Sequence, residues 1–160
     1  MIAPNTQLTP VMYTYVLALH NIVRWFVLGA GILAVLLSWR GWLGRRQWTA
    51  TEARTTRAFV GLLDLQLLIG LLLFAVFSPL TRDAFRDFGA AMRDAPVRYF
   101  LVEHPLIMVS AVAAAHIGAV RIKRASSDPE RFQRASIWLG LSLAALAGFI
   151  PWARPLVPGL

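Results

Sequence analysis

The chain has 160 residues, no cysteine, 58% hydrophobic and 15% charged residues, and a net charge of +8 from 16 Lys+Arg against 8 Asp+Glu. A soluble domain usually carries about 45–50% apolar and about 25% charged residues. Disorder, a collagen-like fibre, a disulfide scaffold and a zinc–cysteine site are therefore excluded, and a water-soluble globule of this size would not cover its own apolar surface. The class that remains is an all-α integral membrane protein, one transmembrane domain over residues 1–160.

Four segments reach the roughly 20 apolar residues that a bilayer crossing needs. The first covers about 11–39, broken only by Arg24, and the second about 58–80, broken only by Asp64. The third covers about 99–120 and holds Glu103, His104 and His116; the fourth, about 135–153, has no charge. Continuous Leu- and Ala-rich runs point to helices rather than barrel strands. The expected architecture is a four-helix bundle. No base precedes Arg24 and no small-residue cleavage site follows the first run, so that run reads as a span rather than a cleaved signal peptide.

The bases lie mostly between these runs, so anionic lipid and topology explain them better than nucleic acid. The loop after span 1 carries Arg40, Arg45, Arg46, Arg54 and Arg57 against Glu52. The loop after span 3 carries Arg121, Lys123, Arg124, Arg131 and Arg134 against Asp128 and Glu130. Between spans 2 and 3, Arg82, Arg86, Arg93 and Arg98 are nearly matched by Asp83, Asp87 and Asp94. Basic loops stay cytoplasmic. The expected placement is multi-pass in a bacterial cytoplasmic (inner) membrane, with both termini outside. The outer loop itself reads as a short interfacial amphipathic helix, capped by Thr81, ending before Pro96, with Phe85, Phe88 and Met92 on one face. Ala111, Ala113, Ala114, Ala115 and Gly118 in span 3, and Gly140, Ala144 and Gly148 in span 4, are small residues of the kind that let helices approach closely in lipid.

Ionisable residues inside spans are costly, by about 2.5–3.5 kcal/mol each, and each needs a reason. His20 in span 1 and His104 in span 3 both fall near the outer ends of helices that run in the same direction. One imidazole from each of two bundle helices at one level is how a membrane haem b is held; the plainer alternative is two histidines hydrogen-bonded at the polar interface. Arg24 lies one turn from His20 on the same face, and Arg98 lies just outside span 3. Either could hold haem propionates, and a quinone head group would use the same kinds of residue. Alternatively, Arg24 pairs with Glu103 and only ties two helices together. His116 follows His104 by about 18 Å of helix, too far to share its metal. Asp64, counted from the cytoplasmic end of span 2, reaches the same depth as His116, which predicts a buried hydrogen-bonded Asp64–His116 pair. Met108, one turn from His104, reads as packing or as an axial ligand. No phosphate loop, serine elbow or HExxH motif is present.

At these residues the sequence resembles a family of small four-span bacterial membrane proteins loosely named cytochrome b. The marks are Leu19-His20-Asn21 with Arg24-Trp25, Leu65-Gln66-Leu67-Leu68-Ile69-Gly70, Glu103-His104-Pro105 with Met108, and Ile150-Pro151-Trp152. The resemblance implies a haem-binding electron carrier, with His20 and His104 as the matching ligands. Members tend to have His where this chain has Asp64, so a second haem is not implied here. The leading expectation is a b-type haem electron-transfer protein, a subunit of a respiratory or photosynthetic complex whose partners are lipid and other membrane subunits. The alternatives are a haem-free accessory subunit and a small proton or ion transporter using Asp64, His116 and Arg24.

Overall fold

The computed structural model describes residues 8–153, with side chains from residue 11. Among these residues the fold is all-helical, without strands. Helix α1 spans Leu8–Leu43 and α2 spans Ala50–Leu72, continued by a π-helical turn over Leu73–Phe77. Three short helices follow: α3 (Pro79–Ala84), α4 (Phe88–Arg93) and α5 (Ala95–Arg98). A second π-helical turn, Tyr99–Glu103, leads into α6 (His104–Lys123), and α7 spans Asp128–Gly148.

Each boundary has a local cause. At the end of α1 the Arg46 N–H reaches back to the Gly41 carbonyl (3.0 Å), and Arg45 takes a left-handed conformation (φ 48°) that stops the helix. Thr49 and Glu52 form a reciprocal capping box at the start of α2. At α7, Glu130 accepts the Ser126 N–H (2.7 Å) and hydroxyl (2.9 Å) and pairs with Arg134. The Ser126 backbone N–H, then its hydroxyl, hold the Glu130 carboxyl below the usual carboxylate range.

The expected single helix in the segment between α2 and α6 is instead broken into three. Ser78, not Thr81, caps the first: its hydroxyl accepts the Thr81 N–H (3.2 Å), and Thr81 is buried inside the helix. Asp87 and Asp94 then capture the N–H groups of Ala90 (2.9 Å) and Val97 (3.1 Å). Each carboxylate starts a new helix where the pattern of apolar residues predicts a continuation. Pro96 sits in the first turn of α5, where its missing N–H costs nothing, rather than ending a helix. Phe85 and Phe88 are exposed, whereas Ala84 and Ala91 pack with Leu101 beneath them.

The four long helices close a ring, α1 against α2 and α7, and α6 against α2 and α7. Their shared core includes Val27, Val35, Phe59, Leu63, Ala115 and Leu139. Glycines set the closest approaches. A methyl group on Gly118 would lie 2.6 Å from the Trp138 Cβ, and one on Gly31 would lie 2.7 Å from Phe59. The expected small-residue face of α7 is not one of these contacts, because Gly140 and Gly148 have nothing within 4 Å of an added methyl.

Three helical stretches are long and apolar enough to cross a membrane: Val11–Leu43, Ala50–Phe77 and Ala95–Lys123. The fourth expected span, 135–153, is shorter than its sequence pattern. Helix α7 ends at Gly148, and Phe149 through Trp152 turn away before Pro151 can be helical. Its uncharged part from Ala135 is about 21 Å long, against about 30 Å of hydrocarbon. The outer surface of the ring carries exposed Phe26, Leu36, Leu68, Leu106 and Leu141, an apolar surface suited to lipid. The chain is a membrane protein on these grounds.

A polar cavity between the helices

A cavity of about 230 Å³ opens inside the ring at the end that carries α3–α5. Helix α1 brings His20, Asn21 and Arg24 to it; α2 brings Gln66, Gly70 and Phe74; α6 brings His104 and Met108; Leu146 and Ile150 close it from the end of α7. The two histidines singled out by sequence therefore line one space.

His104 is held by its surroundings. Its Nδ1 lies 2.9 Å from the Phe149 carbonyl oxygen, just past the end of α7. A carbonyl only accepts, so Nδ1 carries the proton and the lone pair of the neutral ring is on Nε2. The Tyr99 hydroxyl donates to the same carbonyl (2.6 Å). His20 is fixed differently. Gln66 Nε2 donates to the His20 carbonyl oxygen (3.0 Å), which ties α2 to α1 at that level. The imidazole lies against Gly70, where an added methyl would come within 3.2 Å of Cε1 and 3.7 Å of Nδ1. The bare glycine leaves the ring its place.

Five buried side-chain polar atoms among the described residues lack a hydrogen-bond partner. Three of them, His20 Nδ1, Arg24 Nε and Gln66 Oε1, belong to residues that line this cavity. An unmade buried hydrogen bond costs about 1–3 kcal/mol, and that cost is concentrated at this cavity. Arg24 adds a buried cation; its guanidinium stands 5.5 Å from the Trp25 ring centroid. The Arg24–Glu103 pair does not form: Glu103 accepts from Arg98 Nε at 2.8 Å. Arg98 also donates to the Met92 carbonyl (3.2 Å) and does not line the cavity.

Asp64 and His116 meet elsewhere. His116 Nε2 lies 2.7 Å from Asp64 Oδ1 across the contact between α2 and α6. Both side chains are half exposed on the outside of the ring, 51% for His116 and 50% for Asp64, rather than buried as their matching depths predicted. The sequence sets Gln66 against a neighbouring helix, and its bond to the His20 carbonyl is that contact; its place at the cavity, and that of Gly70, were not read. The signal for Gln66 was its place inside a span, where a polar side chain needs a partner.

Comparison of the chain with protein-family models, with curated proteins and with solved structures found no match.

Proposed function

We propose that the chain is a membrane electron-transfer protein that holds one haem b between His20 and His104. The observation that carries this reading is the set of unpartnered buried polar atoms around a cavity lined by two imidazoles. Two imidazoles are too few for a structural ion such as zinc, which takes four ligands, but His20 and His104 are of the type and number that would hold a haem b. His20 Nδ1 makes no hydrogen bond, so His20 would be one of the residues to hold the iron. The Phe149 carbonyl orients His104 as second-sphere carbonyls orient metal-bound histidines. Arg24 supplies the charge that propionate carboxylates require. Phe74, Leu146 and Ile150 give the site apolar walls, and Gly70 leaves room beside His20. Bound haem would supply a one-electron iron couple.

In this reading α7 is the fourth span, with Arg131 and Arg134 at its cytoplasmic end, and the bundle lies in a bacterial inner membrane with both termini outside. The terminal residues themselves lie outside the described ones. Helices α3–α5 rest at the outer interface through Phe85 and Phe88. A chain this small works as a subunit beside larger membrane partners.

The test is a reduced-minus-oxidised visible spectrum of the detergent-purified protein, with a pyridine haemochrome assay for stoichiometry. A low-spin b-type spectrum at about one haem per chain is expected. A colourless protein purified with intact partners would overturn the reading in favour of a haem-free accessory subunit. A quinone is the other redox ligand that the cavity favours, because His20 and Arg24 can donate to its carbonyl oxygens; organic extraction of the purified protein would reveal it.

Arg24 gives a further expectation. Arg24→Leu removes a buried cation without a carboxylate partner. It should stabilise the ligand-free protein by about 2 kcal/mol, the scale of the cost of a charge in a span. The same change should weaken haem binding about tenfold or more, since a charged hydrogen bond is worth about 1.5–3 kcal/mol. Thermal unfolding of the ligand-free variant, set beside a haem titration, checks both signs.

A further inference from the structure

The cavity accounts for His20, Arg24, Gln66 and His104, but not for Asp64 and His116. That pair sits in the apolar stretch of two spans, and half of each side chain faces outward from the ring. Pairing offsets part of the cost of two ionisable groups in lipid, at about 2.5–3.5 kcal/mol each, yet an outward face that borders hydrocarbon gains nothing from it. A second surface that covers the pair removes this cost.

The pair itself indicates which surface. One carboxylate and one imidazole stand side by side at one depth. Within a chain they use Oδ1 and Nε2, which leaves Oδ2 on the carboxylate and Nδ1 on the imidazole. Two copies inserted the same way share a two-fold axis along the membrane normal. That axis sets Asp64 of each copy opposite His116 of the other; with one proton in the Oδ1–Nε2 contact and one on Nδ1, the Nδ1–H of each copy donates to the Oδ2 of the other. Arg121 and Arg124 border the same surface, and the Arg121 guanidinium stacks over the Trp138 ring of α7, 5.0 Å from its centroid. Close approach is open on both helices. Gly61, one turn before Asp64, has nothing within 4 Å of an added methyl, and Ala113, one turn before His116, is exposed. A shallow groove in the α6 surface runs from His116 past Ile117 and Val120 to Arg121 and Arg124.

We infer that the α2–α6 face is the interface of a homodimer, closed by a ring of two Asp64 and two His116 side chains. This inference is independent of any cofactor.

The full chain can be tested in lipid nanodiscs and bilayers by single-molecule subunit counting. The native protein is expected to be dimeric, and the Asp64→Leu/His116→Leu double variant, which makes the face uniformly apolar, should dissociate at least ten times more readily. Because the chain has no cysteine, single Ala113→Cys and Leu141→Cys variants report on two faces in native membranes. Oxidative cross-linking of Ala113→Cys to a second copy, without cross-linking of Leu141→Cys on α7, is the expected result. A monomeric native protein at every protein-to-lipid ratio would overturn the inference. So would a dimer that cross-links through position 141, or cross-linking of position 113 to a different protein.

Discussion

Replacing His20 or His104 by alanine is expected to abolish stoichiometric haem b, whereas His116→Ala leaves it unchanged. The asymmetry follows from location. His20 and His104 line the cavity, and His116 is on the outside of the ring with Asp64. Both imidazoles would be needed to hold a b-type haem, so loss of either is expected to remove it from the stoichiometric complex. The His104 change carries a second cost, because the Phe149 carbonyl loses one of its two donors. Visible spectra and haem-to-protein ratios of the three variants decide the matter. Haem retained in full by both cavity variants would refute the ligand assignment.

The second large effect is mechanical. Gly41→Ala is expected to destabilise the fold by about 2–3 kcal/mol, the upper range for an overpacked core site. The added methyl would stand 2.0 Å from Phe132 Cε1 and 2.3 Å from Cζ. Phe132 has no room to yield: it is wholly buried and packs on Trp48 at 5.0 Å between ring centroids. Alanine gains about 0.5–1 kcal/mol over glycine within a helix, too little to offset such a clash. At Gly29, where an added methyl meets nothing, the same substitution should be neutral or stabilising. Chemical denaturation of both variants in one detergent separates sterics from helix propensity. Combining Gly41→Ala with Phe132→Leu should recover part of the loss if the clash is the cause.

Much of this architecture was legible in the sequence, because hydropathy over long runs reports directly on helices in lipid. Counting residues from the basic ends also brought Asp64 and His116 to one depth. Depth along an axis says nothing of rotation about it, and so the pair's outward exposure was not legible. Glu103 shows the same gap. Arg98 and Glu103 are five residues apart, about 140° apart around an α-helix, which argues against a contact. The π-helical turn over Tyr99–Glu103 is wider and brings the two onto one side. The segment between α2 and α6 failed for another reason: its apolar spacing fits one helix, but Asp87 and Asp94 compete for backbone N–H groups and divide it. The short α7 was hidden because Phe149, Ile150 and Trp152 keep the run apolar after the helix has stopped.

The two π-helical turns, Leu73–Phe77 and Tyr99–Glu103, bracket the whole segment from Ser78 to Arg98. Such a turn is in effect an α-helix carrying one surplus residue. Deleting a single residue from either turn would restore the regular helix and swing everything beyond it by about 100° around that axis. The chain length between the second and third long helices is therefore tuned to the single residue. One surplus residue at each end sets the rotation of the intervening segment, and a variant that loses either must reposition that segment relative to the cavity.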